Sequence, residues 1–193
     1  MDISPPEALR PRQGTPARRR GPRLHARERG WCRRANRWGG RGLVRGYFAW
    51  TSRLGDGAFW YALMAAMALF GGGQGLAAAA HMAAISLVSL VLYRVLKRWT
   101  RRPRPFAADG RIRAWVAPLD EFSFPSGHTL HAVGFSTVAV AYYPALAVLL
   151  VPFSASVAVS RVVLGLHYPS DVLAATGLGL ALAGASLWLA GLA

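Results

Sequence analysis

The chain has 193 residues and a formal net charge of +15, from 23 basic and 8 acidic residues, yet 53% of it is hydrophobic. That apolar content excludes a soluble basic nucleic-acid binder and an extended disordered protein. A single cysteine, Cys32, excludes an internal disulfide framework and a cysteine-rich metal site.

Charge and apolar residues occupy different parts of the chain. Fourteen arginines fall within residues 1–56. A second basic block covers 97–113, with Lys97, Arg98, Arg101, Arg102, Arg104, Arg111 and Arg113. Residues 1–42 are rich in Arg, Pro and Gly, and their composition predicts a solvated, disordered basic tail. Residues 43–193 form the predicted membrane-embedded domain. Within it, Leu43, Val44, Tyr47, Phe48, Trp50 and Leu54, set among Arg45 and Arg53, predict a short helix over 43–56 lying at the membrane interface.

A spanning helix needs about 20 mainly apolar residues. Leu76–Leu96 and Val172–Ala193 meet that requirement, and the second carries no charge. Gly57–Gly73 is shorter and ends in a glycine run that predicts a break. Thr129–Tyr143 and Ala145–Val159 are two more apolar runs, divided by Pro144, which disfavours helix in the residue before it. The predicted fold is therefore all-α: a polytopic membrane helical bundle of about five transmembrane helices behind a basic tail. With five crossings, residues 1–56, 97–125 and 160–168 share one side. That side holds nearly all the basic residues, so the positive-inside rule predicts that it is cytoplasmic. The heavy use of Arg, Ala and Gly fits a GC-rich bacterial genome, so the expected membrane is a bacterial inner membrane.

Three polar clusters lie on this basic side. The first runs from Lys97 to Pro105 and contains Arg104. The second is Pro125-Ser126-Gly127-His128. The third comprises Ser160-Arg161, His167 and Asp171. His128 and His167 are separated by roughly two bilayer crossings of helix, so an out-and-back hairpin returns the second to the face of the first. His167 and Asp171 are spaced i,i+4, where an acid can orient an imidazole and stabilise its cation. Lys97, Arg104 and Arg161 suit a tetrahedral oxyanion. Ser126 and Gly127 sit at a helix start, where free amides favour anions. Two histidines remain for a nucleophile and a proton donor. No carboxylate cluster suits Mg²⁺, so the residues point to phosphoryl transfer without a metal or other cofactor. Lys97 is also the single lysine against 22 arginines, which supports a specific role for it.

The pattern Lys97-x6-Arg104-Pro105, Pro125-Ser126-Gly127-His128 and Ser160-Arg161-x5-His167-x3-Asp171 resembles the three-part signature of the type-2 phosphatidic acid phosphatase superfamily. The resemblance covers about residues 57–190 and all its signature positions match. It implies that His167 attacks phosphorus to form phosphohistidine, that Asp171 orients it, and that His128 protonates the leaving oxygen and then activates water. It further implies that Lys97, Arg104, Arg161, Ser126 and the Gly127 backbone bind the phosphoryl oxygens.

The expected function is hydrolysis of a lipid phosphate or diphosphate, of the polyprenyl diphosphate, phosphatidic acid or phosphatidylglycerophosphate class. Two alternatives stand beside it. One is a vanadate-dependent haloperoxidase-like enzyme, because vanadium haloperoxidases resemble this superfamily. The other is a non-catalytic lipid-binding membrane protein. Expected partners are the lipid phosphate, the bilayer and its anionic lipids, with no specific nucleic acid. Deletion of residues 1–42 is expected to leave catalysis intact.

Overall fold

The computed structural model of the chain describes residues 23–192. Its elements in order are α1 (Arg23–Gly39), α2 (Gly42–Gly55), α3 (Ala58–Phe70), α4 (Gly72–Thr100), α5 (Pro105–Ala108), α6 (Gly127–Tyr142), α7 (Ala147–Val163) and α8 (Pro169–Leu189). A 3₁₀ turn over Pro144–Leu146 leads into α7. Among the described residues there is no β-strand, only an isolated bridge between Pro103 and Phe122. The all-α membrane bundle is the fold that forms.

The apolar segments of the sequence become α3, α4, α6, α7 and α8. Three helical stretches, Gly72–Thr100, Pro144–Val163 and Pro169–Leu189, are long and apolar enough to cross a bilayer, and Ala58–Phe70 is a shorter apolar helix. Helix α6 has 16 residues. It shows little amphipathic character because it sits in the middle, packed by α4, α7 and α8. Its Leu130, Ala132, Phe135, Val138 and Ala139 are buried. Ala132, Phe135, Val138 and Ala139 join Trp60 and Met67 of α3, Met82 and Ile85 of α4, and Leu150 and Val157 of α7 in the main core. Two serines inside this core pair with each other. The Ser136 and Ser154 hydroxyls lie 2.7 Å apart, and Ser154 donates to the Ala132 carbonyl at 3.1 Å, tying α6 to α7.

The α3–α4 turn is tight enough to need glycine. A Cβ at Gly75 would lie 2.0 Å from the Met67 carbonyl oxygen, so only a residue without one lets α4 start against the end of α3. The same turn abuts Tyr143, at the α6–α7 connection. These two connections therefore share one end of the bundle. The α2–α3 turn, the α4–α6 loop and the α7–α8 turn meet at the other end.

The N-terminal region departs from expectation. Residues 1–22 of the expected tail lie outside the described residues, but Arg23–Gly39 is a helix docked on α7 and α8 rather than a disordered segment. Its buried positions are Glu28, Cys32, Asn36 and Gly39, while Arg27, Arg34 and Arg37 are exposed. The docking stripe is polar or small, so a search for apolar periodicity passes over it. Asn36 carries much of the attachment: its Nδ2 donates to the carbonyls of Arg113 (2.8 Å) and Val163 (3.1 Å), and its Oδ1 accepts from the Arg113 amide at 2.9 Å. Helix α2 is the short helix expected over 43–56, with Leu43, Tyr47, Trp50 and Leu54 exposed and Phe48, Thr51 and Ser52 buried.

Candidate active site

The three signature clusters converge at one end of the bundle. Lys97 closes the last turn of α4, Arg104 precedes α5, His128 opens α6, Arg161 ends α7, and His167 lies in the α7–α8 turn. All five side chains line one cleft of about 560 Å³, together with Gly127. The cleft continues along Trp60, Leu90, Tyr93 and Phe135, which give it an apolar wall between α3, α4 and α6.

A local turn aims His167. Gly165 adopts φ +78°, and a Cβ there would lie 2.4 Å from the Arg113 carbonyl. Glycine therefore lets the chain leave α7, fold under the 109–116 loop and bring His167 into the interior. The ring is fully buried. Its Nδ1 lies 2.6 Å from the Ser123 carbonyl, an acceptor only, so Nδ1 carries the proton. Nε2 is left with its lone pair, facing Arg104 Nη1 at 3.2 Å. Burial, and then the positive charges of Arg104, Arg161 and Lys97, hold the imidazole well below its ordinary pKa of 6.5. It is neutral at neutral pH, the form a nucleophile requires.

Asp171 is placed differently from the sequence expectation. Its nearer oxygen, Oδ2, is 3.7 Å from His167 Nδ1, beyond hydrogen-bond distance. That oxygen accepts from the Tyr168 amide at 2.8 Å, and Oδ1 accepts from Arg102 at 2.6 Å. Arg102 in turn reaches the buried Glu28 of α1 at 2.7 Å and stacks over the Tyr168 ring at 4.1 Å. The acceptor that fixes the His167 tautomer is thus the Ser123 carbonyl, and Asp171 stands behind as a buried charge.

Ser126 also departs from its expected place. It is fully buried. Its hydroxyl caps α6, accepting from the Thr129 amide and meeting the Thr129 hydroxyl at 3.0 Å. Ser126 therefore shapes the helix start, and Gly127 is the residue that faces the cleft.

The three cations differ in how they are satisfied. Lys97 Nζ donates to both Asp120 carboxylate oxygens at 2.6 Å and to the Phe122 carbonyl at 3.1 Å. Arg104 donates to Asp120 Oδ1 at 2.9 Å, and to the carbonyls of Asp120 (3.0 Å) and Leu166 (2.9 Å). Arg161, 2% exposed, donates to the Ser52 hydroxyl, and its buried Nε has no hydrogen-bond partner. A buried guanidinium with an unused donor, opening on a cleft beside two further cations, is a site built for an anion.

These features decide the family when set beside known proteins, for the PAP2 superfamily matches residues 74–192. The chain belongs to the PAP2 superfamily. Phosphatidylglycerophosphatase B of Bacillus subtilis is 35% identical over 110 residues, which cover 48% of this chain and 48% of that protein. The Escherichia coli protein of the same name is 40% identical over 75 residues, 36% of this chain and 29% of that protein. The matched stretches thus span less than half the length of these curated relatives. The crystal structure of a transmembrane PAP2-type phosphatidylglycerolphosphate phosphatase from Bacillus subtilis superposes with a TM-score of 0.73 at 24% identity, covering 89% of this chain and 88% of that one. Aquifex aeolicus LpxE superposes with a TM-score of 0.71 at 23% identity, covering 82% and 93%. These two likenesses establish the fold.

Four residues of this PAP2 site were not anticipated from the sequence. Asp56, at the end of α2, contacts His128 Nε2. Ser52, on the same helix, meets Arg161. Ser123 holds His167 through its backbone, which leaves no mark on residue type. Arg102 stood out only as one member of the 97–113 basic block, and it binds Asp171. Asp56 had a weak signal, as one of only 8 acidic residues in the chain.

Proposed function

We propose that this chain is an integral membrane phosphatase that hydrolyses a lipid phosphate or diphosphate through a phosphohistidine on His167. The observation that carries the reading is the His167 ring: buried, neutral, protonated on Nδ1, with its Nε2 lone pair in a cleft lined by Lys97, Arg104 and Arg161. In the first step Nε2 forms a bond to phosphorus as the phosphorus–oxygen bond to the leaving group breaks. His128, held by Asp56, gives the departing oxygen its proton. In the second, water attacks phosphorus, His128 takes a water proton, and the nitrogen–phosphorus electron pair returns to Nε2. The imidazole becomes cationic during transfer. The Ser123 carbonyl keeps Nδ1–H in place, and the buried Asp171 charge stabilises the cation at a distance. Developing charge on the phosphoryl oxygens meets the three cations and the first-turn amides of α6 near Gly127, preorganised in a water-poor site.

The apolar wall of Trp60, Leu90 and Phe135 supports a lipid tail entering below the phosphate. The names of the relatives point first to phosphatidylglycerophosphate, with phosphatidic acid and polyprenyl diphosphates beside it. The exposed Arg27, Arg34 and Arg37 lie at the site's end of the bundle together with the exposed Trp31, Trp38 and Trp50. This supports a cytoplasmic-facing site in a bacterial inner membrane, against anionic lipid. Phosphate release by the purified protein should be measured over these substrates beside His167→Ala. Equal release from both proteins removes His167 as nucleophile. An engineered cysteine at Ala108, probed from each side, reports the face.

A further inference from the structure

The carboxylate of Asp120 occupies the place that the proposed function assigns to a phosphoryl group. Both its oxygens lie 2.6 Å from Lys97 Nζ, and Oδ1 lies 2.9 Å from Arg104 Nη2. A phosphoryl oxygen bound by this pair of cations would need the same donors. The carboxylate is also ionised under ordinary conditions: burial raises its pKa, but the bonds and charges of Lys97 and Arg104 outweigh that and hold it below 3.8.

The partners differ in mobility. The Lys97 and Arg104 side chains are 7% and 2% exposed, whereas the Asp120 side chain is 37% exposed. The cations are fixed in the wall, and the carboxylate has water to turn into. Its departure does not require the loop to leave. Arg104 Nε also holds the Asp120 carbonyl at 3.0 Å, and Lys97 holds the Phe122 carbonyl at 3.1 Å. The Ser123 amide donates to the Arg102 carbonyl at 2.9 Å. Those backbone contacts keep the segment in place while the Asp120 side chain rotates about its own bonds.

We propose that Asp120 is a resident competitor of the phosphoryl group. Its carboxylate neutralises Lys97 and Arg104 in the empty site, swings out when a phosphoryl group enters, and returns as inorganic phosphate leaves. The residue thereby sets the affinity of the site for phosphate. Without it, three buried cations would bind the product as tightly as the substrate and slow its release. This inference rests on the phosphatase reading, but binding of phosphate tests it separately from turnover.

The experiment compares the full-length purified protein with Asp120→Asn, which keeps shape and removes charge, and Asp120→Ser, which removes the side-chain reach. Inorganic phosphate is titrated and its dissociation constant read from the rise in thermal midpoint, then from inhibition of lipid phosphate hydrolysis. Both variants should bind phosphate about tenfold or more tightly, since the anion no longer displaces charge-assisted bonds. The KM for lipid phosphate should fall, and kcat should fall with it as product release slows. Wild-type protein adds a reading that needs no variant: phosphate should shift a carboxylate band in the infrared difference spectrum, as Asp120 exchanges cations for water. Unchanged or weaker phosphate binding in the folded variants overturns the proposal, as does a wild-type spectrum without that shift. Absence of hydrolysis of any lipid phosphate would instead remove the phosphatase reading and leave the binding comparison to decide Asp120.

Discussion

Asn36→Ala should undock the first helix, and Cys32 reports the event. Asn36 makes three buried or part-buried hydrogen bonds that join α1 to the 109–116 loop and the end of α7. Each is worth about 1 kcal/mol net, and the carbonyls of Val163 and Arg113 lose a donor, so about 3 kcal/mol of docking should disappear. Cys32, one turn away, is fully buried, and burial followed by the nearby Glu28 charge raises its thiol to about 12. It reacts with a thiol reagent only when α1 opens. If opening and closing are faster than reaction, the labelling rate follows the opening equilibrium, and 3 kcal/mol corresponds to roughly a hundredfold acceleration. Cys32 is the chain's single cysteine, so intact-mass measurement of labelling against time is unambiguous. Glu28 of α1 holds Arg102, which holds Asp171, so hydrolysis should fall in parallel, which replaces the expectation that residues 1–42 are dispensable for catalysis. Labelling of Asn36→Ala at the wild-type rate would refute the claim that these bonds dock α1. Labelling that accelerates with full activity would refute the coupling of α1 to the site.

Gly165→Ala forces an L-residue into φ +78° and sets its Cβ 2.4 Å from the Arg113 carbonyl. It should cost at least about 2 kcal/mol, read as a lowered thermal midpoint, and reduce turnover because His167 lies two residues on. Arg161→Met removes a buried cation that has an unpartnered Nε. Thermal midpoint should hold or rise while hydrolysis falls on the order of a hundredfold, and a large loss of stability would show that the guanidinium is structural. For pH, the depressed His167 leaves the unfolded chain binding a proton that the folded chain refuses. Stability should therefore decline as pH drops below about 6.5 towards the folded-state value, and His167→Gln should flatten that slope in thermal scans from pH 8 to pH 5.

The bundle was legible because each apolar run is long and bounded by glycine, proline or charge. The meeting of the signature residues was legible because side-chain chemistry and spacing single them out: Lys97, Arg104, Gly127, His128, Arg161 and His167 line one cleft. What sequence missed shares a different property. The contact that fixes the His167 tautomer comes from a backbone carbonyl, which any residue supplies. Asp56 and Ser52 arrive from α2, which was read through its apolar face alone. Helix α1 docks by Glu28, Cys32, Asn36 and Gly39, a stripe regular in spacing but not in hydrophobicity. The arginines that suggested disorder lie largely on its other face.

The charge distribution takes on a different meaning once the acids are placed. Asp120 bridges Lys97 and Arg104, Asp56 meets His128, Asp171 and Glu28 share Arg102, and Asp109 bonds Arg33 and Arg111. Nearly every described acid is thus spent on a basic partner at the site's end of the bundle. Arg161 is the exception among the three cleft cations, having a hydroxyl in place of a carboxylate. In a low-dielectric setting that asymmetry makes Arg161 the standing attraction for an incoming anion. Lys97 and Arg104 become available only as their carboxylate is displaced. Under the proposed function the pairing sets an order of engagement: phosphate would meet Arg161 first, and displacement of Asp120 would complete the cradle beside His167.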